Sequence, residues 1–320
     1  MIMIAGLRSV DSTPDSADYE DQFLNSGSGT VIDEADEPTF KFFSAVLSGM
    51  GLGVNSLFFV YALIAIPLHL LAIWKFTKTP FMTLGIYLSY FYMMHELVQI
   101  RVGAGVGFFI WAVYYRAKSK NLLALALVLI GVTFHYSIAA GLVIFGLSNK
   151  PLKTWERYLY YAVVPLGLAA YFVNLDFSHL VPDTLGGDKL ALYREMKDKG
   201  LEENLAGYPL KFHLVIWLNF IMYYFAIYYE DIYRKYIPET TLCIKIQAVG
   251  FACLLFLNGI STVLAERLNG MYSIVNIFTW SALIYSFSPV IAGKVVNNLI
   301  SAFRFIISFF FFALSWYFMH

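Results

Sequence analysis

Two residues have the type and setting for chemistry, Arg101 and His135. Arg101 follows HELVQI at the junction of two apolar stretches and opens the segment RVGAGVGFF. An arginine at a helix N-terminus stands beside free backbone N–H groups, and both favour an anion such as a phosphate. Gly103, Gly105 and Gly107 would allow close backbone approach there. The alternative is an arginine snorkelling to an interface, with the glycines serving helix packing. His135, in GVTFHYS, interrupts an apolar run. An imidazole titrates near neutrality and suits a general base or a hydrogen-bond donor to a leaving oxygen. A structural histidine bonded to backbone at a helix break fits the same spacing. Glu96 competes with it as base, and His69, just after Pro67, reads as structural.

The remaining candidates are charges at the edges of apolar runs, where a charge is expensive and therefore informative. Arg267 has Glu266 beside it, a local pair as readily as a site, and Tyr272 lies near the next helix start. Arg8 and Asp11 head an acidic stretch in which Arg8, taken alone, reads as an ordinary solvated charge. Arg194 belongs to the charged run 188–204, a mobile amphipathic lid or a plain solvated loop. No phosphate-cradling Walker loop, zinc-ligand spacing, G-x-S-x-G or DxD-like metal motif accompanies them, so neither metal nor cofactor is expected. An enzyme of this kind would neutralise a phosphorylated leaving group with arginines. Cys243 and Cys253 fall within one expected span and resemble neither a metal site nor a disulfide framework.

The elements that must position these residues are membrane helices. Of 320 residues 59% are hydrophobic and 14% charged, with a mean hydropathy of +0.64, against roughly 25% charged in a soluble domain. Spans are expected at 54–74, 81–98, 102–115, 158–175, 211–229, 242–263, 271–288 and 298–318. An acidic segment, residues 1–40, precedes a transmembrane region, 41–320, from which a polar loop departs at 176–210. A net charge of zero points to no nucleic-acid partner. One set of loops carries Lys75, Lys78, Arg116, Arg157, Arg234 and Lys235, with only Glu156, Glu230, Asp231 and Glu239 as acids. By the positive-inside tendency this set is cytoplasmic, and the acidic segment and long loop are extracytoplasmic. An outside start calls for translocation of that segment or an upstream helix, of which MIMIAG looks like the stump.

The run 121–147 has basic clusters at both ends. Two half-helices of about 14 residues, each about 21 Å long, fit this better than one crossing. A broken hairpin with its tip near His135 follows, and such a break belongs beside protein or a wet cavity. Arg8, Asp11, Glu96, Arg101, His135, Glu266 and Arg267 then all lie toward the outer side.

The order of these pieces resembles the EpsG-like, Wzy-type polysaccharide polymerases. Four matches carry the resemblance: Arg8 with Asp11 and Tyr19; Gln99-Ile100-Arg101; Phe134-His135-Tyr136-Ser137; and Glu266-Arg267 with Tyr272. It implies an all-α, polytopic integral membrane protein of the GT-C-like class in a bacterial inner membrane, with its active face extracytoplasmic. The implied activity is polymerisation of undecaprenyl-diphosphate-linked repeat units of O-antigen, capsule or exopolysaccharide, the growing chain passing to the non-reducing end of a new unit. Partners would be those lipid-linked oligosaccharides, the lipid bilayer and a chain-length-regulating membrane protein. Arg101 and Arg267 become diphosphate ligands, with Arg8, Arg194, Asp11, Gln99 and Tyr272 as further substrate contacts and His135 or Glu96 as catalytic groups. A lipid-linked oligosaccharide flippase and an O-antigen ligase are the alternatives. The flippase would favour internal repeats, which the sequence lacks.

Overall fold

A computed structural model describes residues 1–27, 37–173 and 214–286, together with Val295, Asn298, Leu299, Ala302 and Ile306. Every regular element among these residues is helical. They fall in two compact units, the first containing Met1–Gly146 and the five residues beyond Ser286, the second within Leu147–Ser286.

The first unit begins with a short helix α1 (Ile2–Gly6), then α2 (Pro14–Gly27) and α3 (Pro38–Gly49), each opened by a proline. Proline suits that position because its missing N–H has no intrahelical acceptor to lose. Tyr19 and Phe23, one turn apart on α2, are buried, so the acidic N-terminal segment folds onto the unit through one apolar stripe. α4 (Val54–Phe76) is the one helix among the described residues long and apolar enough to cross a membrane. Its C-terminal turn carries Lys75, where a cation complements the helix dipole.

The expected span 81–98 is divided into α5 (Pro80–Ile86) and a π-helix (Tyr87–Val98). Gln99, at φ −101° and ψ 63°, breaks the chain before α6 (Ile100–Ala117). Arg101 therefore stands in the first turn of α6, as its sequence position suggests.

The glycines of α6 are packing contacts. A Cβ at Gly103 would lie 2.2 Å from the His95 carbonyl oxygen, at Gly105 2.7 Å from Ile138, and at Gly107 3.1 Å from Leu68. These close approaches, rather than access for a ligand, account for the stripe. Gly103→Ala is expected to lower folded yield and stability by about 1–3 kcal/mol, the usual cost of overpacking against atoms that cannot move aside. Thermal unfolding of detergent-purified protein measures it.

α7 (Asn121–Phe134) ends at His135, whose backbone is extended at φ −157° and ψ 126°. A 3-10 helix (Tyr136–Gly146) follows and runs back along α6 and α7. Ile138 packs beside Gly105 and Gly131, Gly141 beside Phe109 and Val128. Arg116, at the far end of α6, donates to the carbonyls of Ile144 at 3.1 Å and Phe145 at 3.3 Å. The run thus turns at His135 and returns to the level at which α7 began.

The second unit contains α8 (Thr154–Phe172), α9 (Leu214–Tyr228), α10 (Glu230–Tyr233), α11 (Thr240–Phe256) and α12 (Thr262–Ser273). α12 straddles the two expected spans 242–263 and 271–288, because the chain breaks after Phe256 and Ser261 caps a new helix by accepting the Leu264 N–H. Cys243 and Cys253 both lie on α11. Basic residues meet the few acids of the sequence reading here. Arg157 donates to Glu230 and Asp231, each at 2.8 Å, and Lys245, buried within α11, to Glu156 at 3.2 Å.

Candidate functional site

Arg101 is placed against the direction of the helix dipole, which disfavours a cation in the first turn. Glu37 offsets this. Its Oε2 accepts from Arg101 Nη1 at 2.8 Å, and the residue is only 4% exposed. Glu37 is the N-cap of α3, but its side chain caps nothing and is left for this pairing. The carboxylate's other oxygen, Oε1, faces His135 Nε2 at 3.8 Å.

The imidazole's orientation is fixed from its other edge. The Ser137 backbone N–H donates to His135 Nδ1 at 3.2 Å, and the Ser137 hydroxyl lies 2.7 Å from the same nitrogen. Because Nδ1 accepts, the proton of the neutral ring sits on Nε2 and is directed toward Glu37. In this tautomer the ring presents a donor. α7 and α3 are tied together at this point, since Thr39 donates to the Thr133 carbonyl at 2.7 Å.

Arg101 also lies over aromatic faces, 5.0 Å from the ring centre of Tyr19 and 4.8 Å from that of Phe40. Tyr19 in turn meets Phe58 edge-on at 6.5 Å. Arg8 sits 4.0 Å over the other side of this cluster, on Phe58. The sequence alone gives Arg8 no partner, whereas the structure packs it down on Phe58. Its Nη1 donates to the Ala5 carbonyl at 2.6 Å and its Nε to Ser16 at 3.3 Å. Its Nη2 is buried with no hydrogen-bond partner among the described residues. Burial lowers the guanidinium to about 10, which leaves it charged at neutral pH. Two arginines thus share one aromatic cluster, stabilised by cation–π attraction that strengthens as water is excluded.

Glu96 has a different setting. It is 2% exposed, accepts from Tyr87 at 2.8 Å and lies 3.0 Å from His69 Nδ1. His69 also reaches the Ala65 carbonyl at 2.9 Å, one turn back on α4. The histidine read as structural is therefore the partner of the carboxylate read as a possible base.

Gln99 forms the break before α6, with its N–H bound to the Met94 carbonyl and its carbonyl accepting from Gly103, each at 2.8 Å. Asp11 is exposed in the single turn Val10–Ser12. Arg267, exposed, and Tyr272, buried, lie on α12 of the second unit. Arg194 and the charged run 188–204, lid or solvated loop, lie outside the described residues. One unit accordingly brings together Arg8, Arg101 and His135 around a shared core of Tyr19, Phe40, Phe58 and Phe134.

Sequence reasoning missed Glu37, Phe40 and Phe58 as members of this group, and named Ser137 only as the end of the match around His135. Glu37 is one of several acids in DEADEP, and only its place before Pro38, at a helix start, sets it apart. For Phe40 and Phe58 no signal separates them from any other core aromatic.

The geometry described is a buried carboxylate held by one arginine and faced by an imidazole, with a second arginine on the same aromatic bed. The model of the EpsG family matches residues 1–320, the whole chain. No curated protein and no solved structure matches it.

Proposed function

Because this chain belongs to the EpsG family, a membrane protein family with a polysaccharide-polymerase-like role, we propose that it polymerises undecaprenyl-diphosphate-linked oligosaccharide repeat units. The observation that carries this reading is the meeting of Arg101, Glu37 and His135 beside Arg8 on one aromatic cluster. Transfer of a glycan from a lipid diphosphate breaks a C1–O bond and leaves negative charge on the diphosphate. Fixed cations near that oxygen stabilise the charge as it develops, and they act most strongly where water is excluded.

In this reading Arg101 grips the diphosphate through guanidinium N–H groups other than the one given to Glu37, and Arg8 contributes through its buried Nη2. His135 donates from Nε2 toward substrate oxygen. Gln99 and Asp11 border this group in sequence, and Arg267, Tyr272 and Arg194 are kept as further candidate contacts to the lipid-linked substrate. Glu96, held by Tyr87 and His69, serves the packing of α4 against the π-helix rather than the reaction. The chain spans a bacterial inner membrane several times in a GT-C-like arrangement and works on its outer face, with the lipid-linked units as substrates and a chain-length regulator as partner.

Deleting the gene in its native host and separating the surface glycans on a gel tests the activity. The polymerase reading expects the ladder of long chains to collapse to a single repeat unit. Long chains left on their lipid carrier would mean a ligase instead. Loss of all repeat-unit glycan from the outer face would mean a flippase.

A further inference from the structure

We propose that Glu37 is the catalytic base of this site, taking the proton from the acceptor hydroxyl as it attacks the lipid-linked sugar. The proposal rests on the polymerase reading above and adds to it the residue that activates the acceptor.

The argument starts from what each neighbour can offer. Arg101 and Arg8 have donors only, and a guanidinium that stays charged cannot remove a proton. His135 is committed at Nδ1 to the Ser137 N–H and carries its proton on Nε2, so it too presents a donor. Tyr19 lies under Arg101, and burial pushes its hydroxyl up to about 12, too weak an acid to ionise at neutral pH. Glu96 is sequestered between Tyr87 and His69. Among the described residues, Glu37 is the carboxylate that pairs with Arg101 and also faces His135: Oε2 is held by Arg101 at 2.8 Å, while Oε1 lies 3.8 Å from His135 Nε2, beyond a direct hydrogen bond.

Its position follows from the backbone. Pro38 starts α3 and biases the preceding residue to the extended conformation, φ −65° and ψ 144°, usual for an N-cap, yet the Glu37 side chain makes no cap hydrogen bond and is given to Arg101 instead. Because Arg101 holds the carboxylate and, in the polymerase reading, also holds the diphosphate, the base and the leaving group are tied to one guanidinium.

The step balances as follows. The acceptor O–H proton moves to Glu37 Oε1, and the freed oxygen pair forms a bond to C1 of the donor sugar. The C1–O bond to the diphosphate breaks, its electron pair leaving with undecaprenyl diphosphate beside the arginines. The protonated carboxyl then returns its proton to water.

The test uses the full chain with Glu37→Gln, which preserves shape and removes the charge, and Glu37→Asp, which preserves charge and withdraws it by one methylene. In a deletion host, E37Q is expected to reduce polymer by at least about 100-fold, within the usual range for a general base, and to accumulate single lipid-linked units. The purified variant is expected to bind undecaprenyl diphosphate at least as tightly as wild type, since the carboxylate no longer competes for Arg101. E37D is expected to retain partial activity. Polymer from E37Q within tenfold of wild type overturns the proposal. So does simultaneous loss of melting temperature, undecaprenyl diphosphate binding and polymer in E37Q alongside a fully active E37D, the pattern of a purely structural ion pair. A wild-type chain that binds no undecaprenyl diphosphate, or whose deletion leaves the glycan ladder intact, removes the polymerase reading itself, whichever way the variants behave.

Discussion

Arg101→Ala is expected to reduce polymer formation by about 100- to 1000-fold, the range seen when one preorganised charge-stabilising donor is removed. Arg101→Lys keeps a point charge but loses the planar fork that can serve a carboxylate and a phosphate together, and an intermediate loss of tens of fold is expected. Removing Arg101 alone also deprives the buried Glu37 of the cation it accepts from at 2.8 Å, leaving only His135 facing it at 3.8 Å. The double variant Arg101→Ala/Glu37→Gln separates the two effects. It should recover the melting temperature of wild type, since no unpaired charge remains and α6 loses a cation its dipole disfavours, but it should not recover polymer. Recovery of polymer in the double variant would reduce Arg101 to a counter-ion.

The largest effect on stability is expected in the second unit. Glu230 is fully buried and accepts from Arg157 at 2.8 Å, from Thr241, and from the Leu152 N–H at 3.4 Å. Arg157 also donates to the Ile227 carbonyl at 2.9 Å. Breaking a buried pair from one side costs about 3–5 kcal/mol, because the remaining charge has lost its partner. Arg157→Ala should fall in that range, moderated by Arg234, whose Nη1 lies 3.9 Å from the same carboxylate. Asp231 is 73% exposed on its side chain, and Asp231→Ala should change stability by no more than about 1 kcal/mol. Thermal unfolding of the two purified variants checks the contrast, and equal shifts would show that burial at Glu230 is not what matters.

The sequence was most legible where covalent order and burial cost act together. Basic residues at both ends of 121–147 and a histidine inside it mark a turn in the chain, and the break falls at His135. Arg101 at a helix start was readable from HELVQIR for the same reason. The partner of that arginine was not. Glu37 lies 64 positions away in sequence, in a stretch of similar acids, and which of them reaches Arg101 depends on how α3 docks. The cation–π seat of Arg8 is equally non-local, since Phe58 becomes its neighbour only when α1 packs on α4. The glycines of α6 show a further limit. Their spacing fits a ligand cradle and a packing seam alike, and the neighbours His95, Ile138 and Leu68 decide for the seam. Helix boundaries failed where backbone irregularities intervene. Neither the π-helix after Ile86 nor the break before Ser261 has a signature in a hydropathy profile.

The turn at His135 also bears on a question of parity. If residues 121–146 enter a membrane and come back, they add an even number of passages, and the chain before α7 and the chain after Gly146 then share one compartment. Reporter fusions after Ser119 and after Asn149 should therefore light up together, whether both lie in the cytosol or both outside it. Opposite signals from the two would mean that the segment passes straight through, and every later loop would then change sides.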